Sequence, residues 1–460
     1  MRTCTSSSLP FCLLPVAVVT LLAACSGAPI ESERAARADV ESVSSRYRPS
    51  DAKPELPELT AGTPLAEYLR FALLNSPRVE AAYYDWAAAV ESITPARSLP
   101  DPRFSFSFDI ADTVMGLMPG LMVDLPGPGK LRAAGDLMAA ESRVAYFAFE
   151  HEILRTALVV KTAYHRLHLL DETLRVQQEM LRLAGDLEQI SQHQSAAGQT
   201  SLQDLLRAQI ARDQIETEIA NLKDSRSALA AEWKAALGLG AADADPPFPA
   251  GYEPSTGDPD PDALLATVLA RNPELRAMEE DVRRAEAALV LARKSGEPDY
   301  ALGLAADIRI DPMRADPTML TPSAGMTLPI WRDKVAAEIA GAQAGKRAAE
   351  ARLSAEQVQL AADLASLLYL VRESTRNDAL LSERLVPRAS AALDAARTGY
   401  VNGRASFLEL IEAQRALLEF ELAGIEARTQ RELALASLSL VLAGIAPAGA
   451  PLLAVTEESP

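Results

Sequence analysis

Asp204, Glu409 and Glu412 are the carboxylates whose placement invites a chemical reading. The stretches around them, GQTSLQDLLRAQ from Gly198 and GRASFLELIEAQ from Gly403, write one pattern twice, 205 residues apart. In each, a glycine is followed three residues on by a serine (Ser201, Ser406) and six on by an acid (Asp204, Glu409). Glycine suits the left-handed backbone at a helix end, and serine caps the helix that follows. Each stretch therefore reads as a turn between two helices. Carboxylates there can do two things. They can sit on the positive end of the helix dipole, gaining about 0.3–1 kcal/mol, or they can offer negative charge to passing cations. Glu409 and Glu412 lie three apart, so a helix puts both on one face.

Other chemistry finds little support. No Ser/His/Asp set, phosphate loop or pair of catalytic carboxylates occurs at a convincing spacing, so an enzyme reading has no residues to rest on. His151, His165 and His193 are spaced by multiples of seven, with His168 nearby. They fall off the apolar stripe described below and read as a solvated polar face, so no metal site is assigned. Met115, Met118, Met122, Met313, Met319 and Met326 gather in two short segments. Thioethers suit Cu(I) or Ag(I), but strand parity sends Met122 and Met326 to opposite sides, which favours packing over one ligand cluster. No cofactor is expected.

The elements that must position the acids come from a duplication. LLNSPRVEAA (73–82) answers LARNPELRAM (269–278), and LPDPRFSFSF (99–108) answers EPDYALGLAA (297–306). VDLPGPGKLRAAG (123–135) answers MTLPIWRDKVAAE (326–338). With the glycine turns, four matches run in the same order, placing a first repeat at 61–245 and a second at 258–445, with a tail at 446–460. Each repeat reads as helix, two strands, a very long helix, a turn and a shorter returning helix. Phe104, Phe106, Phe108 and Ile110 alternate with Ser105, Ser107 and Asp109, and Leu302, Leu304, Ala306, Ile308 and Ile310 keep the same period of two. The expected hairpins are 103–125 and 300–328. Such alternation fits a sheet on a soluble core or the wall of a membrane barrel.

The long helices separate these. No proline interrupts Lys130 to Ala197, a run of roughly 100 Å at ~1.5 Å per residue. Lys334 to Asn402 matches it, broken only by Pro387. Ile153, Val160, Leu167, Leu174 and Leu181 fall seven apart, the coiled-coil interval. Charges fill the positions between, so these helices stand in water and the strands are left to meet the membrane. Four strands cannot close a barrel, which needs about eight, and open edges cannot face lipid. Three chains supply twelve. The fold class expected is mainly α, with duplicated coiled-coil hairpins and a small share of a trimeric 12-stranded barrel above an α-helical tunnel. The different reading left standing is a poreless coiled-coil scaffold or adhesin, which needs neither the strand alternation nor the acidic turns.

The ends and the charge set the compartment. Residues 1–24 hold Arg2, an apolar run from Leu9 to Leu22 and small residues before Cys25, a secretory signal. LAAC, Leu22 to Cys25, resembles the bacterial lipobox, which makes Cys25 the lipid-bearing N-terminus of the mature chain. Ser26 follows it, not the aspartate that resembles an inner-membrane retention signal. Cys4 and Cys12 leave with the signal, so the mature chain forms no internal disulfide. Residues 25–60 are polar and aperiodic and read as a lipidated linker. The formal charge of −18 at pH 7 gives nucleic acid no basic stripe to bind.

The duplicated plan, Pro100-Asp101-Pro102 before the first strand, LPGPGKL after the second, and TGYVNGRASFLELIEAQ at the second turn together resemble the TolC family of outer-membrane efflux channels. The resemblance covers about residues 60 to 445. It implies a homotrimer in the outer membrane, lipid-anchored and extending into the periplasm, that docks on a periplasmic adaptor and an inner-membrane pump. It implies a passive conduit for drugs, metal ions or proteins. PGPGKL, Pro126 to Leu131, is most similar to the heavy-metal-efflux branch. In such channels the turn end of the tunnel closes as an iris. By motif alignment the gate tyrosine matches Tyr400, the pore-facing acids match Glu409 and Glu412, and the first-half acid matches Asp204. The family's gate arginine falls on Ala405, and Arg404 or Arg397 stands in its place.

Overall fold

The computed structural model describes residues 29–110, 115–196, 201–251, 253–254, 261–310 and 318–442. Cys25, Gly198 and Met313 lie outside these. The described residues gather into two compact units, the first within 29–42, 83–147 and 276–354 and the second within 43–82, 148–275 and 355–442. The compact units are not the sequence repeats: each unit draws on both halves of the duplication.

In order along the chain the elements are α1 (Glu31–Tyr47), α2 (Leu65–Asn75), α3 (Pro77–Glu91), α4 (Ile93–Arg97), β1 (Arg103–Ile110) and β2 (Met115–Leu125). Then come α5 (Lys130–Ala196), α6 (Leu202–Ala236), α7 (Pro261–Arg271), α8 (Pro273–Lys294), β3 (Tyr300–Ile310) and β4 (Met319–Met326). The last are α9 (Arg332–Leu380), α10 (Val386–Val401) and α11 (Phe407–Val441). Helix α5 is 67 residues long, as the proline-free run predicts. Its counterpart is divided by a π-helical turn at Leu381–Leu385, just ahead of Pro387, where the missing N–H breaks the ladder. No helix among the described residues is long and apolar enough to cross a membrane.

The first unit holds one antiparallel sheet in the order β1-β2-β3-β4. Its register sets Phe104 opposite Leu121, Leu121 opposite Leu304, and Val123 opposite Leu302. Phe104, Phe106 and Phe108 are 61, 57 and 68% exposed on that face. The opposite face carries the polar pairs, with the Arg103 guanidinium 2.6 Å from the Asp124 carboxylate. Apolar side chains that cover nothing, backed by polar ones, invert the pattern of a soluble sheet and match a membrane wall. Met122 shares the polar face and Met326 the apolar one, as strand parity predicts.

PGPGKL is a junction. The Gly127 N–H donates to Asp299 Oδ1 at 2.7 Å, and Lys130 Nζ donates to Asp299 Oδ1 (2.7 Å) and to the Glu297 carbonyl (2.8 Å). A Cβ on Gly127 would meet the Pro298 carbonyl at 2.6 Å. The motif thus binds the exit of β2 to the start of β3.

The expected linker is corrected here. Glu31–Tyr47 is a helix whose buried or half-buried positions Glu33, Ala36, Val40, Val43 and Tyr47 repeat every three and four residues. Glu33 disguises the stripe, because a carboxylate does not count as apolar. Glu33 is buried by pairing: Arg97 and Arg37 donate to it, as does the Thr94 hydroxyl. Burial alone would raise its carboxyl, but these donors hold it at about 2.

In the second unit Tyr68 and Trp233 meet edge-on at 5.0 Å, in one buried cluster with Leu154 and with Val160 and Leu167 of the heptad stripe. Asn75 Nδ2 donates to the Leu237 carbonyl (3.0 Å) at the end of α6, and Asn272 Nδ2 to the Val441 carbonyl (3.1 Å) at the end of α11. The two repeats tie down their returning helices with the same amide.

Candidate gate at the helix turns

Helix α10 stops at Val401 because the chain turns back on itself. The Gly403 N–H donates to the Tyr400 carbonyl at 3.0 Å, and the Arg404 N–H to the Gly399 carbonyl at 2.8 Å. These bonds take up carbonyls that the helix leaves free. Gly403 has φ +70°, the left-handed region that the sequence assigns to it. Gly399 is required by a close approach: a Cβ there would come within 2.9 Å of the Ala405 Cβ. Ala405, where the family places its arginine, is therefore folded against the preceding helix. Arg404 and Arg397 are exposed and make no ion pair among the described residues.

Helix α11 opens with a reciprocal cap. The Glu409 N–H donates to Ser406 Oγ (3.3 Å), and the Ser406 N–H donates to Glu409 Oε2 (3.2 Å). Glu412, one turn on, is exposed and unpaired among the described residues. At the first turn the shorter Asp204 does something else. Its N–H donates to Ser201 Oγ (3.3 Å), the Ser201 hydroxyl donates to Asp204 Oδ2 (2.8 Å), and Arg207 stands 4.0 Å away. Among the described residues Arg207 is a cation beside Asp204.

Tyr400 is 6% exposed and packs edge-on against Phe407, ring centres 5.6 Å apart. Its hydroxyl is buried and has no hydrogen-bond partner among the described residues. The ring belongs to a buried cluster with Leu393, Leu410 and Ile411.

The sequence reading missed what the paired Ala-Gln ends of the motif do. Gln209 Nε2 donates to Glu188 at 3.2 Å, which Arg212 also reaches at 3.1 Å, while Gln414 Nε2 donates to the Met180 carbonyl at 3.4 Å. Both glutamines tie the turn hairpins to α5. The signal was the repetition of Gln at the same place in both motifs. Farther along, burial raises the Glu421 carboxyl, Glu179 adds repulsion, and Arg175 opposes both.

The histidine reading is corrected as well. His165 is 2% exposed and Lys161 1%. Val160, Ala163, Tyr164 and Leu167 are buried beside them, so α5 is enclosed on most of its circumference here and a single heptad position understates its core. Burial, followed by the charges of His168 and Lys161, lowers His165 to about 4. Burial lowers Lys161 to about 8, with Nζ 3.1 Å from Ser439 Oγ. His151 and His168 are half-buried, and His193 alone keeps the solvated position expected of it.

Residues 264–444 match the family profile described as outer membrane efflux protein. That stretch, most of the second repeat, is similar to outer membrane efflux proteins. No curated protein matches it by sequence. Its fold is similar to a membrane protein from Pseudomonas aeruginosa, with TM-score 0.74 and 20% identity over 82% of this chain and 90% of that one. It is also similar to the outer membrane protein VceC of Vibrio cholerae (TM-score 0.70, 18% identity, 82% of this chain and 96% of that one). The open state of the MtrE outer membrane channel of Neisseria gonorrhoeae gives TM-score 0.70 at 16% identity, covering 85% of this chain and 94% of that one. At such identities the structural likeness carries the fold, and the profile match is confined to residues 264–444.

Proposed function

We propose that three copies of this chain close one barrel and form the passive outer-membrane conduit of a tripartite efflux system, exporting small molecules or metal ions. The carrying observation is the four-stranded sheet with an uncovered apolar face and two open edges, β1 and β4. Unpaired backbone in lipid costs several kcal/mol per group, and further copies remove that cost. Lipid on Cys25 anchors each copy; fatty-acid labelling that persists in Cys25→Ser would overturn the anchor. A periplasmic adaptor and an inner-membrane pump complete the path. At the turns, Asp204, Arg404, Glu409 and Glu412 supply the polar gate, with Tyr400 holding its backbone. A poreless scaffold would need no barrel wall. Mass measurement of the detergent-extracted protein should give a trimer, and planar bilayers should show discrete conductance. A stable monodisperse monomer without conductance would overturn the reading.

A further inference from the structure

The two repeats part company where their second strands end. Leu125-Pro126-Gly127-Pro128-Gly129-Lys130 stands against Leu328-Pro329-Ile330-Trp331-Arg332-Asp333. In the first repeat this segment is packed. Gly127 lies so close to the Pro298 carbonyl that a Cβ would collide, and Lys130 reaches Asp299. In the second repeat Ile330 and Trp331 take the place of the small residues. Leu328, Ile330 and Trp331 are 65, 67 and 72% exposed.

The backbone beneath them is nonetheless fixed. Thr327 and Asp299 are joined twice: the Thr327 N–H donates to the Asp299 carbonyl (2.8 Å), and the Asp299 N–H donates to Thr327 Oγ1 (2.7 Å). The Ile330 N–H then donates to the Leu328 carbonyl (2.8 Å) and the Arg332 N–H to the Ile330 carbonyl (3.0 Å), two tight turns in succession. The Trp331 carbonyl accepts from the Val335 N–H at 3.3 Å, where α9 begins. A constrained backbone thus presents large apolar side chains that the described residues leave uncovered. Such a patch marks an interaction site.

Its surroundings name the occupant. The segment follows β4 directly, and the last row of the sheet's apolar face is Leu125, Tyr300 and Met326. Tyr300 and Met326 are exposed as well, so the patch continues that face without a break. Arg332 and Lys334 come next, both exposed, with Lys334 also 3.8 Å from Glu338. Aromatic rings beside cations at the edge of an apolar band suit the boundary between acyl chains and headgroups. Asp333 bounds the patch on its other side, since the acyl region rejects a carboxylate. We propose that Leu328, Ile330, Trp331 and Arg332 form a phospholipid-binding surface at the helix-side rim of the sheet, with the indole beside the upper acyl carbons and the guanidinium on a headgroup phosphate. The proposal rests on the outer-membrane reading and adds to it the depth of insertion: the bilayer boundary falls between Trp331 and Asp333.

Tryptophan fluorescence reads this contact in the unaltered protein, because Trp86 and Trp233 are buried. The full chain is reconstituted in vesicles of phosphatidylethanolamine and phosphatidylglycerol with brominated acyl chains, bromine being a short-range quencher. Bromine near the glycerol should quench about twofold more than bromine at the chain ends, as a ring at the interface requires. Trp331→Phe should abolish the quenching while the protein still floats with the vesicles. Arg332→Glu, which sets a repelled charge beside the phosphates, should lower it by about half, and quenching that ignores this change would overturn the headgroup contact. An indole shielded from bromine and from aqueous iodide alike would mean that a second copy covers the patch, and quenching by iodide alone that it faces water. Either result, in protein that floats and conducts, overturns the lipid surface and leaves the conduit standing. Protein that does not float overturns both.

Discussion

Ser406 and Glu409 cap each other, each side chain accepting the other's backbone N–H, at 3.3 and 3.2 Å. The carboxylate that the family motif assigns to the gate is thus also the second half of a capping box. Its two roles separate chemically, because a glutamine at the same place keeps the oxygen acceptor and loses the charge.

Ser406→Ala and Glu409→Ala should therefore each lower stability by about 1 kcal/mol, whereas Glu409→Gln should stay within a few tenths of the parent. Thermal unfolding followed by the helical signal reads the difference. Equal losses in Glu409→Gln and Glu409→Ala would show that the charge, not the cap, holds the start of α11.

Lys161 and His165 predict opposite limbs of a stability–pH curve. His165 titrates at about 4 in the fold, below its ordinary 6.5, so the unfolded chain takes up the proton first. Stability should be lost as pH falls through 6.5 and level off below 4, about 3 kcal/mol in all. Lys161, at about 8 instead of 10.5, is charged in both states at pH 7. Stability should rise between pH 8 and 10.5 by a similar amount. Lys161→Met should raise the melting temperature at pH 7 and abolish the alkaline rise, and His165→Phe should flatten the acid limb. A curve unchanged by either substitution would mean that water reaches both groups.

Much of the fold was legible because it rests on simple periods. Strand alternation from Phe104 gave the sheet, the absence of proline after Lys130 gave α5, and the repeated Gly-Ser turn gave the hairpins. What stayed hidden was polar burial. Glu33 occupies a core position of α1 because Arg97, Arg37 and Thr94 satisfy it, and pattern reading scores a carboxylate as surface. Lys161 and His165 were hidden for the same reason. At the second helix turn the glycine and the cap were readable from residue type, but the packing of Tyr400 was not. A tyrosine in a motif shows its hydroxyl to the reader, and only packing against Phe407 reveals that the ring is what the fold uses.

The gate itself gives the last expectation. Glu409 and Glu412 are both exposed on the first turns of α11, and three copies would place six carboxylates at one entrance. Such a ring raises the local concentration of cations. Exposed polar links between copies contribute about 0–1 kcal/mol each, so a three-fold set involving Arg404 amounts to roughly 1–3 kcal/mol, enough to hold a tunnel mostly shut yet openable by a partner. Glu409→Gln with Glu412→Gln should reduce cation preference and weaken block by multivalent cations, without changing the trimer mass. Arg404→Ala with Asp204→Ala should raise single-channel conductance by loosening the closed state. Tyr400→Phe should leave conductance alone, since its hydroxyl is buried without a partner among the described residues, and should match or exceed the parent in stability. Bilayer recordings of these variants separate the readings. If the charge variants conduct with parental selectivity and only Tyr400→Phe opens the channel, the carboxylates are caps and solvated charges, and the tyrosine hydroxyl is the latch after all.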